Sequence, residues 1–444
     1  KIQTPESVSL KKAEIESNPY WAQLGSRITG LDLGLGGNGT LGASMALSDD
    51  GTRLVVGAWN VAGTNNSGAV YVYDWNGSAW TQVGSVIGYH TVSGSRNGWT
   101  VSISGDGTTV AVGSRVDSPG ADSGSVTSFT LVGATWTLKG AVIATGASGD
   151  LTGYALSRMS TDGNLVAFSD LTYADASVGV NAGRVRVFKY ENGSWSQRGS
   201  SIIGEVTGDK IGECVQMSED GKYLIFSGVT GTAKVYIFEW NGAAYVQRGS
   251  TLTGVAGDGF GQSLDISKDG SVIAIGYSGA DVAEGALAEN SGVVQMYKWN
   301  GTNAYTLTAT LNSNDADASD QFGTSVNLSA DGKRLVAGAD SDDYGGTSSG
   351  IVYTFESPDG SSWMRREPYA SIGTSAPAGV TQTSLNIGRT TAVYVSRDGS
   401  TIGIGEYGAD NPGNSGADSG AFRVFNMPSN IKSIWGSNDD TNWT

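Results

Sequence analysis

Few side chains in this 444-residue chain can do acid–base or metal chemistry, and that scarcity already narrows its function. There is one histidine, His90, and one cysteine, Cys214. They leave little room for imidazole catalysis and none for a multi-thiolate metal site or an intrachain disulfide framework. Without a histidine base beside it, Cys214 reads as a small buried filler and not as a nucleophile. Carboxylate chemistry remains, because Asp and Glu number 43. Glycoside hydrolysis needs two of them roughly 5–10 Å apart, and Asp265 and Glu213 are the candidates, with Gln216 and Asn327 at comparable depth. A second acidic set falls in connections of variable length: Asp117, Asp122, Asp175, Asp281, Glu284, Asp340, Asp342, Asp343, Asp410 and Asp418. Such a face could meet a cation, a basic partner or a polar glycan. Equally, it could be a solvated surface of an acidic protein.

Lys and Arg number 27, so the formal charge is −16. No basic stripe is available to neutralise phosphates, which disfavours nucleic acid and anionic membrane surfaces as partners. No run of apolar residues is long enough for a membrane helix. The chain opens with Lys1, as expected of a processed product or a fragment.

The elements that must position these residues come from a repeat. Glycine is abundant, at 67 residues, and Ser-x-Asp-Gly recurs with its glycine at 51, 107, 163, 221, 270, 332 and 399. Each copy reads as four strands. The first runs from a glycine to the serine, and Asp-Gly then makes a tight hairpin turn with positive backbone dihedrals. The second is an apolar run such as Leu54-Val55-Val56. The third follows a Gly, as in Gly68 to Tyr73, and leads to an Asn-Gly turn at Asn76, Asn192, Asn241 or Asn300. The fourth carries an aromatic with glycine four residues on: Trp80 and Gly84, Trp136 and Gly140, Trp195 and Gly199, Tyr245 and Gly249. Six positions after each turn glycine stands Gly57, Gly113, Ser169, Ser227, Gly276, Gly338 or Gly405, so neighbouring units must approach closely there.

The second strands do not alternate in polarity, so both faces must be buried. Small antiparallel sheets stacked between like sheets meet that demand. The expectation is an all-β, seven-bladed β-propeller of four-stranded blades. The seventh unit lacks a fourth strand, whereas Trp21-Ala22-Gln23-Leu24-Gly25 matches Trp80-Thr81-Gln82-Val83-Gly84. The N-terminal strand therefore completes the last blade and leaves no open edge. The boundaries this implies are an extension over 1–20, the propeller over 21–426, and a linker or the start of a truncated second domain over 427–444.

The repeat resembles the FG-GAP type found in integrin α-subunit heads. Phe260-Gly261 and Phe322-Gly323 supply its first element, and Gly57-Ala58 and Gly338-Ala339 resemble its second. Leu41, Asn97, Thr152, Ile211 and Ile387 replace the phenylalanine elsewhere. Similar degenerate repeats occur in surface proteins of marine microbes and large algal viruses, which implies a surface setting. Integrin-type calcium loops are not carried over, because the short turns here cannot wrap six to eight oxygens around Ca²⁺. Ser357 to Trp363 resembles the Asp-box of sialidases but is one residue short. The tail from Gly436 to Trp443 resembles a segment of discoidin-type domains.

The function expected from these readings is a non-enzymatic binding or structural module, extracellular or on a virion surface. Its acidic variable loops would face a protein or glycan partner, without a cofactor and as part of a larger chain or assembly. The alternative is a carbohydrate-active enzyme with a carboxylate pair near the central channel.

Overall fold

The computed structural model describes residues 22–35, 39–61, 67–88, 94–115, 122–228, 233–255, 257–281, 289–313, 319–342, 350–365, 393–407, 410–411 and 414–426. Among them there is no helix. Seven antiparallel blades follow in chain order, each with its strands laid side by side from first to fourth. The first strands are Ser44–Leu47, Asn97–Ile103, Thr152–Leu156, Ile211–Met217, Phe260–Ile266, Phe322–Leu328 and Val393–Val395. Each packs against the next blade, and blade seven packs against blade one, so the blades form a closed ring.

The repeated turn explains its own sequence. In blade one the Ser48 hydroxyl donates to Asp50 Oδ1 at 2.7 Å and accepts from the Arg53 amide at 2.9 Å. Asp50 Oδ1 also accepts from the Thr52 amide at 3.0 Å. The same bonds recur through Ser396 and Asp398 in blade seven. Serine and aspartate thus satisfy the turn's amides locally, as short polar side chains at turns do. Only the glycine is left-handed, with φ 67° at Gly51, while Asp50 is not. Ser48 N still bonds to Arg53 O, so the loop is the four residues Asp49 to Thr52 and not the two-residue Asp-Gly type expected from the dipeptide. Burial works against the carboxylates of Asp50, Asp162 and Asp269, yet these hydrogen bonds hold all three below their ordinary range. Because protein donors already fill these oxygens, EDTA is expected to leave the melting temperature nearly unchanged. A large drop reversed by Ca²⁺ in a thermal melt would contradict this.

Blades are joined by three devices. Around the turn end of the channel, backbone bonds link neighbouring turns: Asp49 N to Gly105 O, Asp106 N to Thr161 O, Thr161 N to Glu219 O, Lys268 N to Ala330 O, and Ala330 N to Arg397 O. At the rim, the fourth-strand Trp80 and Trp136 donate to Leu24 O and Val83 O of the preceding blade, at 3.1 and 2.9 Å. Between them, first-strand hydroxyls reach the next blade: Ser44 to Gly98 O at 2.9 Å and Ser263 to Gly323 O at 2.8 Å. The small residues of the second strands make that approach feasible. A Cβ on Gly276 would lie 2.1 Å from both Gly323 O and Ser263 Oγ. Gly276→Val is expected to cost about 1–3 kcal/mol or more through overpacking, read as a lower denaturation midpoint.

Closure uses the N-terminal segment. Ala22 and Gln23 pair with Asn426 and Phe425, and Ile28 and Thr29 with Phe422 and Ala421. They lie outside the strand Ala421–Asn426 as the last element of blade seven. Trp21 and the tail from residue 427, including its discoidin-like segment, fall outside the described residues.

Candidate functional site

Alternation along the first strands decides which side chains reach the ring axis. The residue before each turn serine is buried between blades: Leu47, Ile103, Met159, Met217, Ile266, Leu328 and Val395 are all almost inaccessible. The residue two before the serine faces the channel instead. At that level stand Ala46, Ser102, Arg158, Gln216, Asp265, Asn327 and Tyr394. Arg158 crosses the axis: its Nη2 lies 3.2 Å from Asp265 Oδ2 and 3.3 Å from Asn327 Oδ1, and its guanidinium stacks 4.4 Å from the centre of the Tyr394 ring. Burial alone would weaken that cation, but Tyr394, Asp265, Glu219 and Asp49 together hold its pKa above the ordinary value.

One level deeper are the x residues of Ser-x-Asp-Gly. Arg397 Nε donates to Glu219 Oε1, Lys268 Nζ lies 3.2 Å from Glu219 Oε2, and the Thr161 hydroxyl donates to Asp49 Oδ2 at 3.1 Å. The side chains of Arg158, Asp265, Glu219 and Arg397 are all under 5% exposed. These two layers therefore close the channel on the turn face.

Above this floor a cavity of about 200 Å³ opens toward the face of the long connections. In several blades its rim carries the residue that follows the opening glycine: Trp99 after Gly98, Tyr154 after Gly153, Glu213 after Gly212, and Gln262 after Gly261. Trp59 and Tyr407, each just past a second strand, complete the aromatic lining. Trp59 and Trp99 lie 5.5 Å apart, and Trp99 and Tyr154 6.3 Å, as tilted aromatic pairs. Behind them, Arg96 stacks on Trp59 at 5.4 Å and Arg115 on Trp99 at 4.9 Å. Among the described lining residues only Glu213 is a carboxylate. Its Oε1 accepts from the Tyr154 hydroxyl at 3.1 Å. Burial raises its pKa above the ordinary 4.5, against the pull of Tyr154 and Lys210. Cys214, half-buried, also lines the wall, and burial pushes its thiol up to about 12, which keeps it protonated at neutral pH.

The sequence-derived carboxylate pair is not assembled at this mouth. Glu213 lines the cavity, but Asp265 is engaged by Arg158, by Leu328 N at 2.6 Å and by Ile266 N at 2.8 Å, and is 1% exposed. Gln216 and Asn327 do line it, Gln216 Oε1 accepting from Arg158 N at 3.2 Å.

The acidic connection residues are distributed among separate turns. Asp175 accepts from the amide and hydroxyl of Ser177. Asp281 Oδ1 accepts from Asn290 N at 2.9 Å, and Asp342 Oδ2 from the Tyr353 hydroxyl at 3.0 Å. Asp340 is buried with the Ser341 hydroxyl 3.3 Å away, while Asp122 is exposed. Asp410 and Asp418 are backbone register partners in a small antiparallel pair. Asp117, Glu284, Asp343 and His90 lie outside the described residues. Among the described residues no three acidic, histidine or cysteine side chains converge in a way that could hold a metal ion. In the segment likened to an Asp-box, Asp359 simply accepts from Ser361 N and Ser362 N of its own turn.

The repeat itself can be compared with known families once its geometry is clear. A family model described as FG-GAP repeat matches residues 305–355. One blade-length of the chain is thus similar to FG-GAP. The matched FG-GAP segment runs from the fourth strand of blade five through the third of blade six. It contains the Phe322-Gly323 and Gly338-Ala339 elements, with Phe322 fully buried against Tyr353 and Phe355. No curated protein matches the chain. An FG-GAP-like propeller suggests a binding or structural module.

Several pocket residues escaped the sequence reading: Trp59, Trp99, Tyr154, Arg158, Tyr394 and Tyr407. Aligning the repeats on the opening glycine would have exposed Trp99, Tyr154, Glu213 and Gln262 as one ring of positions. No comparable signal marks Arg158 or Tyr394 as partners.

Proposed function

We propose that this ring is a non-enzymatic binding module, working outside the cell or on a virion surface, that holds a protein or glycan partner on the face of its long connections. The observation that carries this reading is the channel mouth: an aromatic-rimmed pocket with one carboxylate, closed below by buried ion pairs. Concave, largely apolar pockets with a few polar groups are the usual places where ligands bind. The rigid blades present it among loops of variable length, where recognition usually resides. Against hydrolysis stands the state of Asp265, whose charge is committed to Arg158, so that among the described residues Glu213 has no second carboxylate beside it for such chemistry. The test is to offer the purified protein to a glycan array and to intact cells, alongside a panel of glycosidase substrates. Retention without turnover is expected. Sugar release that Glu213→Gln abolishes would overturn the reading in favour of an enzyme.

A further inference from the structure

We infer that the channel-mouth pocket holds the terminal residue of a neutral glycan, end-on. This rests on the binding reading above and adds ligand class and orientation. The closed floor sets the orientation: Arg158, Asp265, Glu219 and Arg397 fill the channel, so a chain cannot thread through and only an end can enter. Size agrees, since about 200 Å³ falls below the roughly 300–1,000 Å³ of sites for drug-sized ligands and suits one sugar ring.

The lining chemistry selects a polyol. Sugar rings offer C–H faces to aromatic side chains and hydroxyls that both donate and accept. Trp59, Trp99, Tyr154 and Tyr407 supply the first kind of surface. For the second, Glu213 Oε1 is taken by Tyr154, which leaves Oε2 as an acceptor. Gln262 Oε1 is taken by the Ser278 hydroxyl at 2.7 Å, which leaves its amide nitrogen as a donor. A cationic ligand fits less well, because Arg96 and Arg115 already stack on Trp59 and Trp99 and place two positive charges beside the rim. An anionic one would meet Glu213.

The experiment uses the full chain on an array of neutral, sialylated, uronate-containing and sulfated glycans. Each hit is then titrated in solution beside the same glycan extended by one residue at its non-reducing end. Neutral glycans sharing one terminal residue should bind, and extension should weaken binding about tenfold or more. Trp99→Ala and the nearly isosteric Glu213→Gln should each weaken it by a similar factor while melting like the parent, as expected for residues central to a small site. Val132→Thr, at the exposed end of the third strand of blade two and outside the pocket, should change nothing. Binding that survives both pocket substitutions would place the ligand elsewhere on the ring, overturning this inference but not the binding module. Equal binding of the extended glycan would refute end-on recognition, and a preference for acidic glycans would refute the neutral class. Absence of glycan binding altogether would overturn the inference and leave a protein partner for the module.

Discussion

Deleting residues 1–29 is expected to produce an aggregating or sharply destabilised protein, whereas deleting 1–15 leaves near-native behaviour. The longer deletion removes the pairing of Ala22, Gln23, Ile28 and Thr29 with the strand Ala421–Asn426, together with the bond from Leu24 N to Val424 O at 2.8 Å. That strand then becomes a free edge, with unpaired N–H and C=O groups available to other chains. Two further losses follow. Trp80 no longer finds Leu24 O, so the rim contact between blades seven and one fails. Glu406, with a fully buried side chain, loses Arg27 at 2.6 Å and, among the described residues, keeps Arg423 at 2.8 Å. Leaving a buried charge short of its partner costs several kcal/mol (roughly 3–5 where the partner is lost outright). Thermal melts and light scattering of the two truncations check this. If both melt like the parent and stay monodisperse, the N-terminal strand is not what closes the ring.

Arg397→Met should be the most damaging single substitution in the channel floor, by about 3–5 kcal/mol at neutral pH. Arg397 donates to Glu219 and, through Nη1, to Leu328 O at 3.0 Å, while the other partner of Glu219, Lys268, is 61% exposed and correspondingly weak. Burial opposes the Glu219 charge, yet Arg397 and then Lys268 hold its pKa below the ordinary 4.5. A carboxyl with a depressed folded pKa stabilises the fold above its ordinary value, and that contribution is lost as pH falls through the folded pKa. Without Arg397 the burial effect dominates and the sign reverses, so acid relieves the variant. The stability gap between parent and variant should therefore begin to narrow above pH 4.5, as the variant's Glu219 takes up its proton, and go on narrowing as pH falls through the parent's lowered pKa. Adding Glu219→Gln to Arg397→Met should recover part of the loss at pH 7. Denaturant midpoints measured from pH 7 to pH 3 decide the matter, and a gap independent of pH would refute the assignment.

The parts legible in the sequence are those the chain encodes locally. Ser48, Asp50 and Gly51 and their six counterparts build a turn from bonds spanning at most five residues, so the motif reports its own structure wherever it occurs. Seven copies give seven blades, and the match of residues 21–25 to 80–84 gives the closure, because a missing strand and a spare one can be counted. The small residues at Gly57 and Gly276 likewise announce close packing, since a backbone carbonyl of the next blade and a first-strand serine hydroxyl crowd each of them. The site was legible only in part. Glu213 could be picked out as a first-strand carboxylate facing the channel, but its companion Asp265 could not be known to be spoken for. Its partner Arg158 lies 107 residues earlier, and Glu219 meets Arg397 across 178. The x position of each turn and the position two before its serine have no local role to constrain them, so their identities carry no message until the ring brings seven of them to one axis. Whether the channel is open or blind, and which aromatic side chains share its mouth, was therefore decided by tertiary structure alone.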